Sequence, residues 1–313
     1  MIKYKGEGNL KRLKLPGMVI AFILTITLLL TACGNDDQAN SNKDEETDDL
    51  GEAIEYTITG IEPGSGTMNL ANKTLEEYEN LEGWELVEAS TAGMLTELDS
   101  AIKNEDPIIV TGWNPHWMFA SYELKYLEDP KGTFGEVENI NTLTRLGLEE
   151  DMPSANTVLD RFHWEPEDME TVMLEAQDVP FDEAATNWIE ENQDRVNEWT
   201  EGVEEVDGKS IELISTPWDS ERASGEVMKL VLEELGFNVT LTPVDPAVMF
   251  EAIASGEGDA TVAPWLPVTH GDFYETHKGD FVDLGENLTG AKIGLVVPAY
   301  MDIESIEELQ PNE

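Results

Sequence analysis

Three apolar, strand-like runs in this chain stop at the same kind of place. Pro107-Ile108-Ile109-Val110-Thr111-Gly112-Trp113, Ile211-Glu212-Leu213-Ile214-Ser215-Thr216-Pro217-Trp218 and Asp259-Ala260-Thr261-Val262-Ala263-Pro264-Trp265 each reach a tryptophan beside a proline or a glycine. Proline cannot donate to a sheet ladder, so Pro264 and Pro267 close the third strand. His270 follows Trp265 by five residues on the same stiff loop. If the three strands are parallel, their tryptophans gather at one sheet edge. In α/β proteins the C-terminal edge of the strands is where ligands bind.

The rest of the chain supports that layout. Glu55 to Gly60 alternates like a strand, enters the turn Ile61-Glu62-Pro63-Gly64-Ser65-Gly66, and leads to a helical pattern over Met68 to Asn80. Strand, glycine-rich turn and helix form a layout that aims backbone N–H groups at an anion, and a plain β–α turn has the same pattern. Trp84 to Val87 reads as a strand and Thr91 to Asn104 as a helix. Residues 140–200 read as mostly helical, with starts at Pro153, Pro166 and Pro180, and with Trp188 and Trp199 in packing roles. A helix over Ala223 to Leu235, a strand over Asn238 to Thr242 and a helix over Pro246 to Ser255 precede the third tryptophan run. Ala291 to Pro298 closes the series as a buried strand. Strands alternating with helices mean an α/β fold with mostly parallel sheets.

Charge and residue counts remove several classes of function. Sixty-six acidic residues face 18 basic ones, a net charge of −48. Phosphate binding needs clustered Lys and Arg, so nucleic acid is not expected as a partner. A self-repelling acidic surface suits saline surroundings, where ions screen it. Cys33 is the single cysteine, which rules out an internal disulfide and a metal site built on several thiolates. The four histidines form no His-x-x-x-His pair, and there is neither a phosphate-binding loop nor a Gly-x-Ser-x-Gly elbow. No metal and no cofactor are expected, and no residue pair singles itself out for catalysis.

The first residues read as a targeting segment. Lys3, Lys5, Lys11, Arg12 and Lys14 precede an apolar run from Met18 to Leu30. That run is shorter than the roughly 20 residues a membrane span needs. It ends in Leu30-Thr31-Ala32-Cys33, which resembles the lipobox of bacterial lipoproteins. On this reading 1–32 is a signal peptide and Cys33 the lipid-bearing first residue of the mature chain. Residues 33–53, almost devoid of apolar side chains, are expected to form a disordered acidic tether.

Indoles converging in a cleft suit a quaternary ammonium. Such a group has no N–H to donate, so a carboxylate gains little geometry on it. An aromatic box attracts it through the ring quadrupoles, each face contributing about 0.5–2 kcal/mol. The box also excludes ions and water, so salt weakens it less than an exposed ion pair. His270 and the N–H groups near Gly60 and Ile61 would face a carboxylate at the ligand's other end. A cation at one pole and an anion at the other describe a betaine.

These residues carry a resemblance to a family. Thr59-Gly60-Ile61-Glu62-Pro63-Gly64-Ser65-Gly66, Thr111-Gly112-Trp113-Asn114-Pro115-His116-Trp117-Met118-Phe119, Leu124-Lys125-Tyr126-Leu127-Glu128-Asp129-Pro130, Trp218-Asp219-Ser220-Glu221, Trp265-Leu266-Pro267-Val268-Thr269-His270 and Gly294-Leu295-Val296-Val297-Pro298 resemble the glycine betaine-binding lipoproteins of bacterial ABC importers, of the kind found in bacilli. The resemblance spans essentially the whole mature chain. It implies a two-lobed α/β fold of the periplasmic-binding-protein type II kind, hinged, with the ligand in the interlobe cleft. In the circularly permuted order it implies, one lobe covers 54–107 plus 295–313 and the other 108–294. It implies Trp113, Trp218 and Trp265 around the ammonium, and His270 with the backbone of Gly60 and Ile61 on the carboxylate. The expected partners are glycine betaine or proline betaine, an ABC permease with its ATPase subunit, and the extracellular face of the cell membrane through the lipid anchor. A choline or carnitine receptor is the rival within the class. A secreted hydrolase with a carboxylate pair, and an adhesion or structural lipoprotein, are rivals outside it.

Overall fold

The computed structural model describes residues 50–312, so the leader, Cys33 and most of the expected tether lie outside the described residues. Order begins at a single helical turn, α1 (Leu50–Ala53), within the stretch expected to be tether. Strand β1 (Thr57–Thr59) then leads to α2 (Gly66–Glu77), whose N-terminus is capped by Ser65: its hydroxyl accepts the Met68 N–H at 3.2 Å. Strand β2 (Glu85–Val87) runs parallel to β1, and Ser90 caps α3 (Thr91–Asn104) by accepting from the Gly93 N–H. Strand β3 (Val110–Asn114), the short helix α4 (Trp117–Ser121) and strand β4 (Leu124–Tyr126) follow.

The chain then enters a second half through β5 (Glu138–Arg145). Five helices come next: α5 (Leu148–Asp151), α6 (Pro153–Arg161), α7 (Pro166–Glu175), α8 (Phe181–Glu191) and α9 (Gln193–Thr200). Prolines at the first turns of α6 and α7 use a position where a missing N–H costs nothing. An alternating part completes the half: β6 (Ser210–Ser215), α10 (Asp219–Glu234), β7 (Asn238–Pro243), α11 (Pro246–Ser255), β8 (Ala260–Thr261), β9 (Trp265–Leu266) and α12 (Gly271–His277). The long β10 (Phe281–Pro298) runs back to the first half.

The strand order is β2-β1-β3-β10-β5-β8-β6-β7, with β4 beside β10 and β9 beside β5. β10 serves both halves. Its residues Phe281–Ala291 pair with β5, and Lys292–Val296 pair with β3. The pairings around β6 and around β1 are parallel, as the alternation implies. Every pairing of β10 and of β5 is antiparallel. The pairing keeps 110–114 and 124–126 with the first half. The chain therefore passes between halves along 127–137 and again at Ala291–Lys292.

Two elements depart from the sequence reading, and both lie at this seam. The stretch 138–145, expected to open a helical region, is the strand β5. Its Ile140, Thr142 and Thr144 favour a strand, and its polar side chains find partners there. Asn141 donates to Asp283 at 3.1 Å, and the Thr142 hydroxyl accepts from Asn287 at 3.1 Å. β10 begins ten residues before the expected Ala291. Register shifts at Asp283/Gly285, Glu286/Leu288 and Thr289/Ala291 break its alternation, and Gly285 and Gly290 take positive φ there. A period-two search loses such a strand.

The helical part packs around Phe162, Trp164, Trp188 and Trp199. Trp164 meets Trp188 edge-on at 5.6 Å, and Trp188 stacks on Trp199 at 6.1 Å. These tryptophans have the packing role expected of Trp188 and Trp199.

Candidate functional site

The three strand-end tryptophans come together. Trp113, Trp218 and Trp265 all line one cavity. Each arrives differently. Trp113 lies on β3, opposite Ile293 of β10 in the ladder. Trp218 follows β6 and precedes α10, and its carbonyl accepts the Arg222 N–H. Trp265 opens β9 opposite Ile140 of β5, directly after Pro264, whose carbonyl accepts the Asn141 N–H at 2.8 Å. The first half also contributes Ile61, Ser65, Gly66 and Thr67 to the wall, and the second half Ser220, Glu221, Thr269 and His270.

His270 reaches the cavity with its chemistry defined. Its Nδ1 accepts the Trp265 backbone N–H at 3.0 Å, so the neutral ring carries its proton on Nε2. Burial holds its pKa down to about 4, so at neutral pH the ring is an uncharged donor. The loop that presents it is clamped by Glu138 of β5. One Glu138 oxygen accepts the N–H groups of Val268 and Thr269 at 2.9 and 2.7 Å, and the other accepts the Thr269 hydroxyl. Burial raises the Glu138 pKa, against the pull of those hydrogen bonds.

The other two expected anion contacts stand differently. Ile61 lines the cavity, but its N–H points to the Met68 sulfur at 3.2 Å. Gly60 is not in the wall, and its N–H donates to the Val87 carbonyl at 2.9 Å. A thioether is a weak acceptor, so a carboxylate would outcompete it for the Ile61 N–H. The Gly60 bond to Val87 is an ordinary strong amide–carbonyl bond.

Carboxylates hold the indoles from behind. Trp265 Nε1–H donates to Glu221 Oε1 at 2.6 Å, and Trp218 Nε1–H donates to Glu62 Oε2 at 3.1 Å. Glu62 also accepts the N–H and hydroxyl of Thr91, at 2.8 and 2.7 Å. Burial pushes the Glu62 pKa up, but these hydrogen bonds outweigh it and the net shift is downward. Behind Trp113 sits His116, edge-on at 4.8 Å, fully buried and with its pKa pushed down to about 3 by that burial. Its Nδ1 accepts the Met118 N–H at 3.2 Å.

Contacts join the halves at the site. The Trp218–Glu62 bond is one, and the Trp117 indole N–H donating to Asp219 at 3.1 Å is another. A third is at Gly66, where a Cβ would collide with the carbonyl oxygen of Thr269. Only glycine permits this approach. Sequence reasoning missed Glu221, Glu62, Glu138 and Gly66 as site residues. Among 66 acidic residues nothing local marks three that turn inward. Among the described residues no group of three or more His, Cys, Asp or Glu could hold a metal ion.

The family model described as the substrate-binding domain of ABC-type glycine betaine transport systems, OpuAC, matches residues 37–191 and 209–313. The chain belongs to this family. It is the substrate-binding component of a transporter rather than an enzyme. The glycine betaine/carnitine transport binding protein GbuC of Listeria monocytogenes is 46% identical over 296 residues, covering 94% of this chain and 97% of that protein. A crystal structure of lactococcal OpuAC, closed on glycine betaine, is 52% identical over the superposed part. It covers 47% of this chain and 58% of its own, with a TM-score of 0.46. A glycine betaine/L-proline-binding protein, ProX, from Borrelia burgdorferi is 34% identical, covering 49% of this chain and 58% of its own, with a TM-score of 0.46. The chain thus spans 58% of the length of each of these two solved relatives. Substrate-binding components of ABC importers work outside the cytoplasm, with a permease and an ATPase as partners.

Proposed function

We propose that this protein captures glycine betaine, or the related proline betaine, at the outer face of the cell membrane and delivers it to its permease. The observation that carries the reading is the shared cavity of Trp113, Trp218, Trp265 and His270. Three indole faces supply the attraction a trimethylammonium can use. The His270 Nε2–H supplies a donor for the carboxylate, and the Ile61 N–H joins it when the Met68 sulfur yields. Gly60 would contribute only if its bond to Val87 opened. The Listeria relative is a glycine betaine/carnitine binding protein, and carnitine, which bears the same two charges on a longer chain, is the second reading.

The two half-sheets act as lobes, hinged at 127–137 and at Ala291–Lys292. The Trp218–Glu62 bond and the Gly66–Thr269 approach form as they close. Cys33 carries the lipid and the acidic segment after it serves as the tether. Calorimetric titration of glycine betaine, paired with tryptophan fluorescence, tests the receptor reading. Saturable heat and a fluorescence change are expected, and neither signal at millimolar ligand would end it.

A further inference from the structure

The cavity wall contains a buried carboxylic group whose charge the bracing of the cage does not require, since a neutral acceptor would serve the Trp265 indole N–H as well. Glu221 sits in the first turn of α10 and lines the cavity beside the three tryptophans. It is 3% exposed, and its two oxygens have separate tasks. Oε1 accepts the Trp265 indole N–H at 2.6 Å, and Oε2 accepts the Ser220 hydroxyl at 2.8 Å. No lysine or arginine lines this cavity, so an ionised Glu221 would have no cation of the protein to face.

We propose that Glu221 is a specificity-determining residue whose ionised form supplies the counter-charge of the cation end, so that a quaternary ammonium is taken up as this group gives its proton to solvent. The inference rests on the receptor reading above. Two effects follow from the geometry. The carboxylate places a full negative charge in the wall of a water-poor cavity, where charges interact far more strongly than in water. It also polarises the indole through the N–H···O bond, adding electron density to the ring that faces the ligand. A tert-butyl group of the same shape gains from neither.

The protonation state is what makes the group informative. Burial raises the Glu221 pKa to about 7, with the Ser220 and Trp265 hydrogen bonds pulling against it. The empty site therefore holds a mixture of acid and carboxylate at neutral pH. A cation in the cage favours the carboxylate, and the displaced proton must leave. The other titratable groups around the site are assigned by element. From the loop after β9 the titratable group in the wall is His270, and it remains neutral above about 4. Glu138 of β5 lies behind that loop. Across the cleft, Glu62 is turned to Trp218 and Thr91. On α10 itself, Asp219 accepts from Trp117 and Arg222. His116, behind Trp113, is neutral above about 3. From β10 the wall residue is Ile293, and the adjacent Lys292 lies over the Tyr126 ring. Of these other groups, Glu138 alone is also shifted upward by burial, whereas His270, His116 and Glu62 are shifted downward.

The test is titration calorimetry of the full chain with glycine betaine at pH 5.5, 7 and 8, in two buffers of different ionisation enthalpy. The carbon isostere 3,3-dimethylbutanoate serves as the uncharged-head comparison. When only the ionised fraction binds, apparent affinity scales with that fraction, so glycine betaine should bind about tenfold or more tighter at pH 8 than at 5.5. Near pH 7 the buffer pair should report proton release. In Glu221→Gln, which keeps an acceptor for the indole, the profile should flatten. The preference for glycine betaine over 3,3-dimethylbutanoate should shrink as well. Flat wild-type affinity with no proton release overturns the inference, and needs no variant. A full pH profile surviving in folded Glu221→Gln also overturns it and transfers the proton to Glu138. If wild type and variant bind no glycine betaine at any pH, the receptor reading has failed and takes this one with it.

Discussion

Two groups of three tryptophans lie in the same chain, and burial sets apart only Trp218, which is half-buried. Trp164, Trp188 and Trp199 are 0, 3 and 2% exposed, and Trp113 and Trp265 of the cavity are 5 and 4%. What differs is what the rings and their N–H groups meet. In the helical core the rings meet one another, edge-on or stacked. At the cavity the rings share an open space, and two of the three N–H groups are tied to carboxylates. The core group maximises contact with its own kind. The cavity group is braced from behind so that its faces remain free for something else.

That contrast can be broken by exchanging the readouts. The largest expected effect is on the core side. Trp188→Ala should cost about 3–5 kcal/mol of stability, read from denaturant unfolding, because its neighbours cannot fill the space. Ligand affinity of the fraction that folds should stay near wild type. Trp265→Ala should do the reverse, weakening glycine betaine at least about tenfold, a change of about 1.4 kcal/mol, with a smaller loss of stability. If Trp188→Ala impaired binding as much as Trp265→Ala, the division into core and cage would be wrong.

Within the cavity the two poles separate next. His270→Ala removes a donor to a charged group, a loss of about 1.5–3 kcal/mol for a ligand with a carboxylate. Choline, which has none, should be nearly indifferent in the same titration. Glu62→Gln leaves an acceptor for the Trp218 indole but removes its charge. A difference of about 1 kcal/mol between charged and neutral bonds predicts weakening of up to about fivefold.

A further effect is one of pH on the unliganded protein. His116 and His270 stay neutral when buried, whereas unfolded they take a proton near pH 6.5. Their contribution to stability is present above that value and drains as pH falls toward 4. Glu221 works in the opposite direction. Its folded pKa lies above its ordinary value, so its contribution is present below about 4.5 and is lost as pH rises through about 7. The denaturant midpoint of Glu221→Gln should therefore gain on wild type between pH 5 and pH 8. Equal gaps at both values would show that the carboxyl does not titrate in that window.

Much of the site could be read before any coordinates. Trp113, Trp218 and Trp265 are marked by apolar runs that reach a Pro or Gly, and His270 by following Trp265 at five residues, although Trp265 opens the short strand β9 rather than lying on the loop expected for it. Strand termination by proline is local, and so it is legible. β5 and the first ten residues of β10 were not legible, for a shared reason. Both run through the seam between the halves, where polar side chains such as Asn141 and Asn287 are buried because each meets the other strand's partners. Period-two patterning records which residues avoid water, and it fails where burial is satisfied by hydrogen bonds instead of apolar side chains. Bulges around Gly285 and Gly290 remove what alternation was left.

The residue types that line the cavity, the α/β class and the order of its parts were legible in the sequence, because those depend on neighbours along the chain. Tertiary structure alone decided which of the many acids turn inward. Glu138, Glu62 and Glu221 look like any others in a chain of 66 acidic residues. Each becomes a working part only where folding removes water from it and brings it a backbone N–H, a hydroxyl or an indole from a distant segment. The same holds for Gly66, whose lack of a side chain acquires meaning only when Thr269 of the other half comes to rest against it.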